Sequence, residues 1–244
     1  VAAIDCSGIR AVLLDVEGTT TPVTFVTEVL FPHARSGMRA HLEARGAEPA
    51  VKAQVDALRD EHARDEREGL GPPPWSGALD AVVGYVGFLM DRDRKSTPLK
   101  ALQGQVWEGG YRSGALRGEV YPDVPPALAR WQRQGRQVAI FSSGSVLAQA
   151  LLFGTTPHGD LTHFIAAHFD TSTGPKREAE SYRRIAQALE CEPPEVLFLS
   201  DVVAELDAAR RAGCRTALCV RGEEAVASAP HPLIHTFDAV CPEG

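Results

Sequence analysis

The chain has 244 residues, 44% of them hydrophobic, and a formal net charge of −7 at pH 7, enough apolar material for one large domain or two smaller ones. An acidic balance with scattered arginines leaves no basic stripe for nucleic acid, and no apolar run approaches the roughly 20 residues that cross a bilayer. The chain does not open on a basic segment followed by an apolar run and a cleavage site, so a cytoplasmic protein is expected.

The first element, Ala11-Val12-Leu13-Leu14, reads as a strand buried on both faces. It runs into Asp15-Val16-Glu17-Gly18-Thr19-Thr20, two acids one residue apart and then a turn. A strand that carries carboxylates to its C-terminal tip delivers them where α/β sheets bind ligands. An aspartate capping a turn is the plainer reading of this segment alone.

From Val23 to Val124 strand character is almost absent, and the segment is too long for a crossover. Val26, Val29, Leu30, Ala34, Met38 and Leu42 suggest one helix, Val51, Val55 and Leu58 a second, and Leu79, Val82, Val83, Val86 and Leu89 a third. Gly69 to Pro74 cannot be helical throughout and should join two of them. Trp107, Gly109, Gly110 and Tyr111 suggest a glycine-flanked aromatic loop, with a helix ending at those glycines the equal alternative. Phe25, Val26 and Phe31 are candidates for an apolar wall around a ligand.

Further strands are expected at Gln137 to Ser142, Phe164 to Ala167, Val196 to Asp201 and Arg215 to Val220. Helices are expected after Ser145 and from near Pro175, a residue suited to a first helical turn. The alternation predicts βαβ units and a parallel sheet. The fold class is therefore α/β: a doubly wound, Rossmann-like core (1–22 and 125–244) with an all-helical cap inserted after the first strand (23–124). Five cysteines, Cys6, Cys191, Cys214, Cys219 and Cys241, show no CxxC or zinc spacing and are expected to be free thiols. His231 and His235 flank Pro232 and do not read as a metal pair.

Three further signals sit at strand ends or helix starts: Ser142-Ser143-Gly144-Ser145, Gly174-Pro175-Lys176, and Ser200-Asp201 with Glu205 a helical turn on. Each alone is ordinary cap or surface chemistry. Their order after Asp15-x-Glu17-Gly18-Thr19 resembles that of the haloacid dehalogenase-like phosphotransferases. Most of that superfamily has a second Asp where this chain has Glu17. That substitution, with Thr20-Thr21-Pro22, Val29-Leu30-Phe31-Pro32, Ser145-Val146, Leu152-Phe153-Gly154, His168-Phe169-Asp170-Thr171 and Glu180-Ser181-Tyr182, resembles the enolase-phosphatases of methionine salvage.

The resemblance implies Asp15 as nucleophile, Glu17 as proton donor and acceptor, and Lys176 as a catalytic and substrate-binding cation. It implies Ser142 and Ser143 as phosphate ligands and one Mg²⁺ per subunit held by Asp15, Glu17 (through its backbone carbonyl) and Asp201. Glu205 would orient Lys176 or a metal-bound water. The chemistry is consistent: a carboxylate can accept a phosphoryl group, and phosphoryl transfer rests on positioning and charge neutralisation. A phosphate dianion among three carboxylates meets repulsion of roughly 4 kcal/mol per unit-charge pair at ~4 Å with an effective dielectric of ~20, so cations are required. With only four lysines among 25 basic residues, a lysine at this position suggests a compact point charge is wanted.

The implied activity is that of a phosphoric-monoester hydrolase. It converts 2,3-diketo-5-methylthiopentyl-1-phosphate to the acireductone 1,2-dihydroxy-3-keto-5-methylthiopentene plus phosphate. Its partner is a small phosphorylated molecule, without nucleic acid or membrane, and a monomer is expected. The alternatives are a phosphatase for another small phosphomonoester and a phosphoacceptor signalling module. Glu17 weighs against the first and the inserted cap against the second.

Overall fold

The structure is a computed structural model, which describes residues 3–222 and 230–243. Strand β1 (Ala11–Leu14) is followed by a π-helical turn, Phe25–Leu30, and then by α1 (Phe31–Arg45), α2 (Pro49–Arg67), α3 (Leu79–Asp91) and α4 (Thr97–Ser113). The remaining chain folds as α5 (Val124–Arg133), β2 (Gln137–Phe141), α6 (Val146–Gly154), β3 (Ala167–Phe169), α7 (Ala179–Ala188), β4 (Val196–Ser200), α8 (Val203–Ala212), β5 (Arg215–Cys219) and β6 (Leu233–Ile234).

Two compact units emerge: Val1–Val26 with Arg117–Gly244, and Thr27–Leu116. The limits expected from sequence, 22/23 and 124/125, differ from these. Arg117 to Val124 groups with the sheet, where the Tyr121 amide donates to the Thr20 carbonyl at 3.0 Å.

In the first unit the strands pair in the order β3-β2-β1-β4-β5-β6, every pairing parallel. All four residues of β1 are fully buried, as a strand with both faces covered must be. Leu13, Phe141 and Phe198 join Tyr182, Ile185 and Leu206 of α7 and α8 in one apolar cluster. The central strand β1 lies between β2 and β4, which places the crevice of a doubly wound sheet at the tips of β1 and β4.

The second unit packs its four helices around Met38, Leu58, Tyr85, Leu89 and Leu102. Its sequence holds the helices expected and a fourth, α4, which Ser96 caps by accepting the Leu99 amide at 3.3 Å. Of the two readings of Trp107 to Tyr111 the helical one holds, although α4 runs past Gly109 and Gly110 to Ser113. Tyr111 is buried and the Trp107 indole N–H donates to the Leu30 carbonyl at 2.8 Å.

Three further expectations are corrected. The strand placed at Phe164 to Ala167 starts at Ala167, because Asp160 accepts both the Thr162 amide (2.8 Å) and its hydroxyl (2.5 Å) and turns the chain into a 3-10 segment, Thr162–Phe164. Pro175 precedes α7 in a turn, its carbonyl accepting the Ser181 hydroxyl at 2.8 Å. Cys6 and Cys241 form a disulfide; Cys191, Cys214 and Cys219 are free and buried. The bond joins residues 235 positions apart, brought alongside by the Ile4–Val240 bridge, and pairing between remote cysteines is not legible from spacing.

Candidate active site

The register pairs Leu14 with both Ile140 and Leu199, so Asp15 leaves the sheet between the ends of β2 and β4. The residue is 4% exposed and both its carboxylate oxygens are engaged. Oδ1 accepts the Val16 amide at 2.7 Å and lies 2.6 Å from Lys176 Nζ. Oδ2 accepts the Ser200 hydroxyl at 2.8 Å, and Ser200 Oγ accepts the Val202 amide at 3.1 Å.

After Asp15 the chain closes into a strap. The Val16 carbonyl accepts the amides of Thr19, Thr20 and Thr21, and the Gly18 amide returns to the Thr21 carbonyl. Gly18 adopts φ +71°, which favours glycine, and a Cβ there would lie 2.2 Å from Asp201 Oδ2. Glycine is thus required twice, for the turn and for the approach of that carboxylate. Thr19 completes the seam: its hydroxyl accepts the Asp201 amide at 3.0 Å and donates to Asp201 Oδ1 at 3.4 Å. Glu17 stands exposed on the strap, its backbone bridged to Thr21.

Lys176 comes from the turn before α7 and is held from the core. Tyr182, packed edge-on to Phe141 and tilted on Phe198, donates its hydroxyl to the Lys176 carbonyl at 2.7 Å. The ammonium, 10% exposed, also lies 2.6 Å from Glu205 Oε2 on the first turn of α8. Glu205 therefore touches Lys176.

Beyond β2, Ser142 donates its amide to the Phe169 carbonyl (3.1 Å) and accepts the Gly144 amide on its hydroxyl (3.1 Å). Ser143 is exposed, and Ser145 caps α6 by accepting the Ala148 amide at 3.2 Å. Gln149 donates to the carbonyls of Gly144 (2.9 Å) and Phe169 (2.8 Å) and so ties this loop to β3. Of the apolar-wall candidates, Phe25 is buried and Phe31 is exposed on α1, its ring 6.4 Å from Trp107.

The electrostatics are one-sided. Burial would push the Lys176 ammonium down, but Asp15 and Glu205 outweigh it and its pKa is raised. Desolvation, helped by the charge of Asp15, lifts Asp201 to about 6 although the residue as a whole is exposed. The same two causes lift Glu205 to about 7. Two carboxylates thus flank one ammonium while a third, Asp201, feels the charges of Asp15 and Lys176, a surplus of negative charge in a partly desolvated crevice.

Among the described residues no group of three His, Cys, Asp or Glu side chains is placed to hold a metal ion. Asp15 and Asp201, close enough for the charge of one to lift the pKa of the other, offer oxygen donors only. Such a set suits a hard cation that keeps several waters, as Mg²⁺ does, better than zinc.

Fold and site together are those of a hydrolase that works at the tips of a parallel sheet, and the model for haloacid dehalogenase-like hydrolases matches residues 9–213. Enolase-phosphatase E1 of Synechococcus elongatus is 51% identical, covering 94% of this chain and 97% of that protein. Enolase-phosphatase E1 of Citrobacter koseri is 47% identical over 96% of this chain and 98% of its own length. The crystal structure of the UTR4 protein of Saccharomyces cerevisiae matches with a TM-score of 0.74 at 32% identity, over 94% of this chain and 99% of that one. The chain belongs to the enolase-phosphatase E1 family of haloacid dehalogenase-like hydrolases.

Sequence reasoning placed Ser200 in the Ser200-Asp201 signal without reading its bond to Asp15, and missed Thr19 as a partner of Asp201 and Gln149. Ser200 and Gln149 are polar residues fully or nearly fully buried among apolar neighbours. A serine ending an otherwise apolar β4 run was the available signal for Ser200; nothing marked Gln149.

Proposed function

We propose that the chain enolises and then dephosphorylates 2,3-diketo-5-methylthiopentyl-1-phosphate, releasing the acireductone and phosphate in methionine salvage. The observation that supports this most directly is Asp15, buried, with one oxygen 2.6 Å from Lys176 and the other bonded to Ser200. In that setting the carboxylate is oriented before substrate arrives, and orientation is the larger part of catalysis for phosphoryl transfer.

In the reading proposed, Asp15 attacks phosphorus, an acyl phosphate forms, and the phosphorus–oxygen bond to the leaving alcohol breaks. Glu17, exposed on the strap, gives that oxygen a proton and takes one back from the water that hydrolyses the acyl phosphate. Lys176, with Ser142 and Ser143 and the amides opening α6, binds the phosphoryl oxygens. The preceding enolisation moves a proton from the carbon bearing the phosphate to the neighbouring carbonyl oxygen, with Glu17 as its carrier. Mg²⁺ would be held by Asp15, Asp201 and the Glu17 carbonyl and would supply positive charge against the carboxylates and the phosphate. A cytoplasmic, monomeric enzyme belongs to the same proposal; the described residues include no helix long and apolar enough to cross a membrane.

The test is an assay of the diketone phosphate beside a panel of ordinary phosphomonoesters, following phosphate release and the ultraviolet absorbance of the enol. Turnover of the diketone phosphate at least ~100-fold above the panel, lost in EDTA and restored by Mg²⁺, is expected. Equal or better turnover of the panel, without enol, would replace this reading by a general phosphatase.

A further inference from the structure

We infer that Arg221 is a positioning residue of this site, clamping the strap that carries Glu17, Gly18 and Thr19 through the backbone of Thr19. Arg221 lies just past β5, outside the residues the family model matches, and its side chain is 8% exposed. Nε donates to the Thr19 carbonyl at 2.8 Å. Nη1 donates to Asp123 Oδ2 at 2.6 Å and to the His235 carbonyl at 3.4 Å. The guanidinium sits 4.4 Å from the ring centroid of Tyr121 and 4.3 Å from that of Phe237.

The anchor is itself assembled by other bonds. Asp123 Oδ2 also accepts the Thr236 hydroxyl (3.1 Å) and the Phe237 amide (2.6 Å). Tyr121, which flanks the guanidinium, donates its amide to the carbonyl of Thr20. Two successive strap carbonyls, Thr19 and Thr20, are therefore fixed from one framework outside the strap.

The consequence runs through Thr19. Its hydroxyl joins the strap to Asp201, and Gly18 packs against the same carboxylate with no room for a side chain. Rotation of the 19–20 peptide would withdraw that hydroxyl and displace Glu17 two residues earlier. A misplacement of about 1 Å in a catalytic constellation costs on the order of 10²-fold in rate. Lysine cannot substitute for the arginine: a point charge on a flexible stem does not bridge a carbonyl and a carboxylate from a place between two rings.

This inference rests on the proposed catalytic reading for its kinetic arm, so an independent arm reads the strap directly. In amide hydrogen exchange, Gly18 to Thr21 should exchange at least ~10-fold faster in Arg221→Lys than in the wild type, with β1 amides unchanged. Unaltered strap exchange overturns the clamp whatever the enzyme does. In the kinetic arm the wild type must first release phosphate in an Asp15-dependent way; if it does not, the catalytic reading fails and the exchange result still decides the clamp.

With activity present, Arg221→Lys should lower kcat about 10- to 100-fold while KM stays within about threefold. Thr19→Val should act similarly, and the double variant should be no worse than the poorer single within about threefold. Multiplied losses, or wild-type kcat in Arg221→Lys, would show a residue that merely supports the fold. If Arg221→Lys does not fold, Asp123→Asn replaces it in both arms with the same expectations.

Discussion

Each unit buries charge, and the two do it differently. In the helical unit Asp65, 2% exposed, accepts the Tyr85 hydroxyl at 2.8 Å and Arg94 Nη2 at 3.0 Å. Glu61 accepts the Ser96 hydroxyl at 2.6 Å and lies 3.8 Å from the same guanidinium. Two carboxylates there meet a guanidinium and two hydroxyls, and the set links α2, α3 and the start of α4. In the sheet unit Asp15 and Glu205 flank the ammonium of Lys176, Asp201 feels the charges of both Asp15 and Lys176, and desolvation leaves Asp201 near 6 and Glu205 near 7. The helical set also keeps one carboxylate more than its guanidinium neutralises, but hydroxyl donors meet the excess there, and buried charge matched in that way holds elements in register; buried charge left in larger surplus marks where an outside cation and a reacting group belong.

Charge deletion in the two places should therefore have opposite readouts. Asp15→Asn is expected to cut phosphate release by about a thousandfold or more, the scale of losing a nucleophile. The variant should stay folded, because Lys176 keeps Glu205; a thermal scan beside the phosphate assay checks both. Asp65→Ala should lose about 2 kcal/mol in urea denaturation, since it leaves a buried phenol without its acceptor and Arg94 with only the more distant Glu61, while kcat measured well below the new midpoint stays within about threefold. Should Asp65→Ala instead kill turnover in a fully folded protein, the contrast between matched and surplus charge would be broken.

The surplus was legible in the sequence and the match was not. Asp15, Lys176 and Asp201 stand at strand ends or turns beside residues with narrow structural roles, so their order along the chain already places them at the tips of one sheet. Periodicity also placed the central strands, whose burial on both faces leaves little room for polar positions. Glu61 and Asp65, by contrast, sit within a polar α2 whose pattern resembles a solvated surface, and burial there depends on Tyr85 and Arg94, which approach only when the helices pack. Arg221 was hidden for a like reason: its partners Thr19, Asp123 and Phe237 are far apart in sequence and meet only in the folded sheet unit. The Cys6–Cys241 bond is the extreme case, since nothing local to either cysteine records the other.

The smallest effect separates the two kinds of buried charge by pH. A carboxyl whose pKa rises on folding binds protons the unfolded chain has released, so its stabilising contribution is present below the unfolded value and disappears as pH climbs through the folded one. For Asp201, lifted from 3.8 to about 6 by desolvation and then by Asp15, that window is pH 4 to 6. His168 and His231, both lowered chiefly by burial, pull the other way over part of the same range, so the wild-type curve alone does not isolate the carboxyl. The difference between Asp201→Asn and wild type in EDTA does. The variant's advantage in thermal midpoint should be near zero at pH 4, grow to pH 6 and then level off, and Mg²⁺ should shrink it by stabilising the wild-type carboxylate. An advantage that instead grew as pH fell would mean the ionised Asp201 is stabilised by folding, and the carboxylates at the tips of β1 and β4 would then be matched charge like those around Arg94.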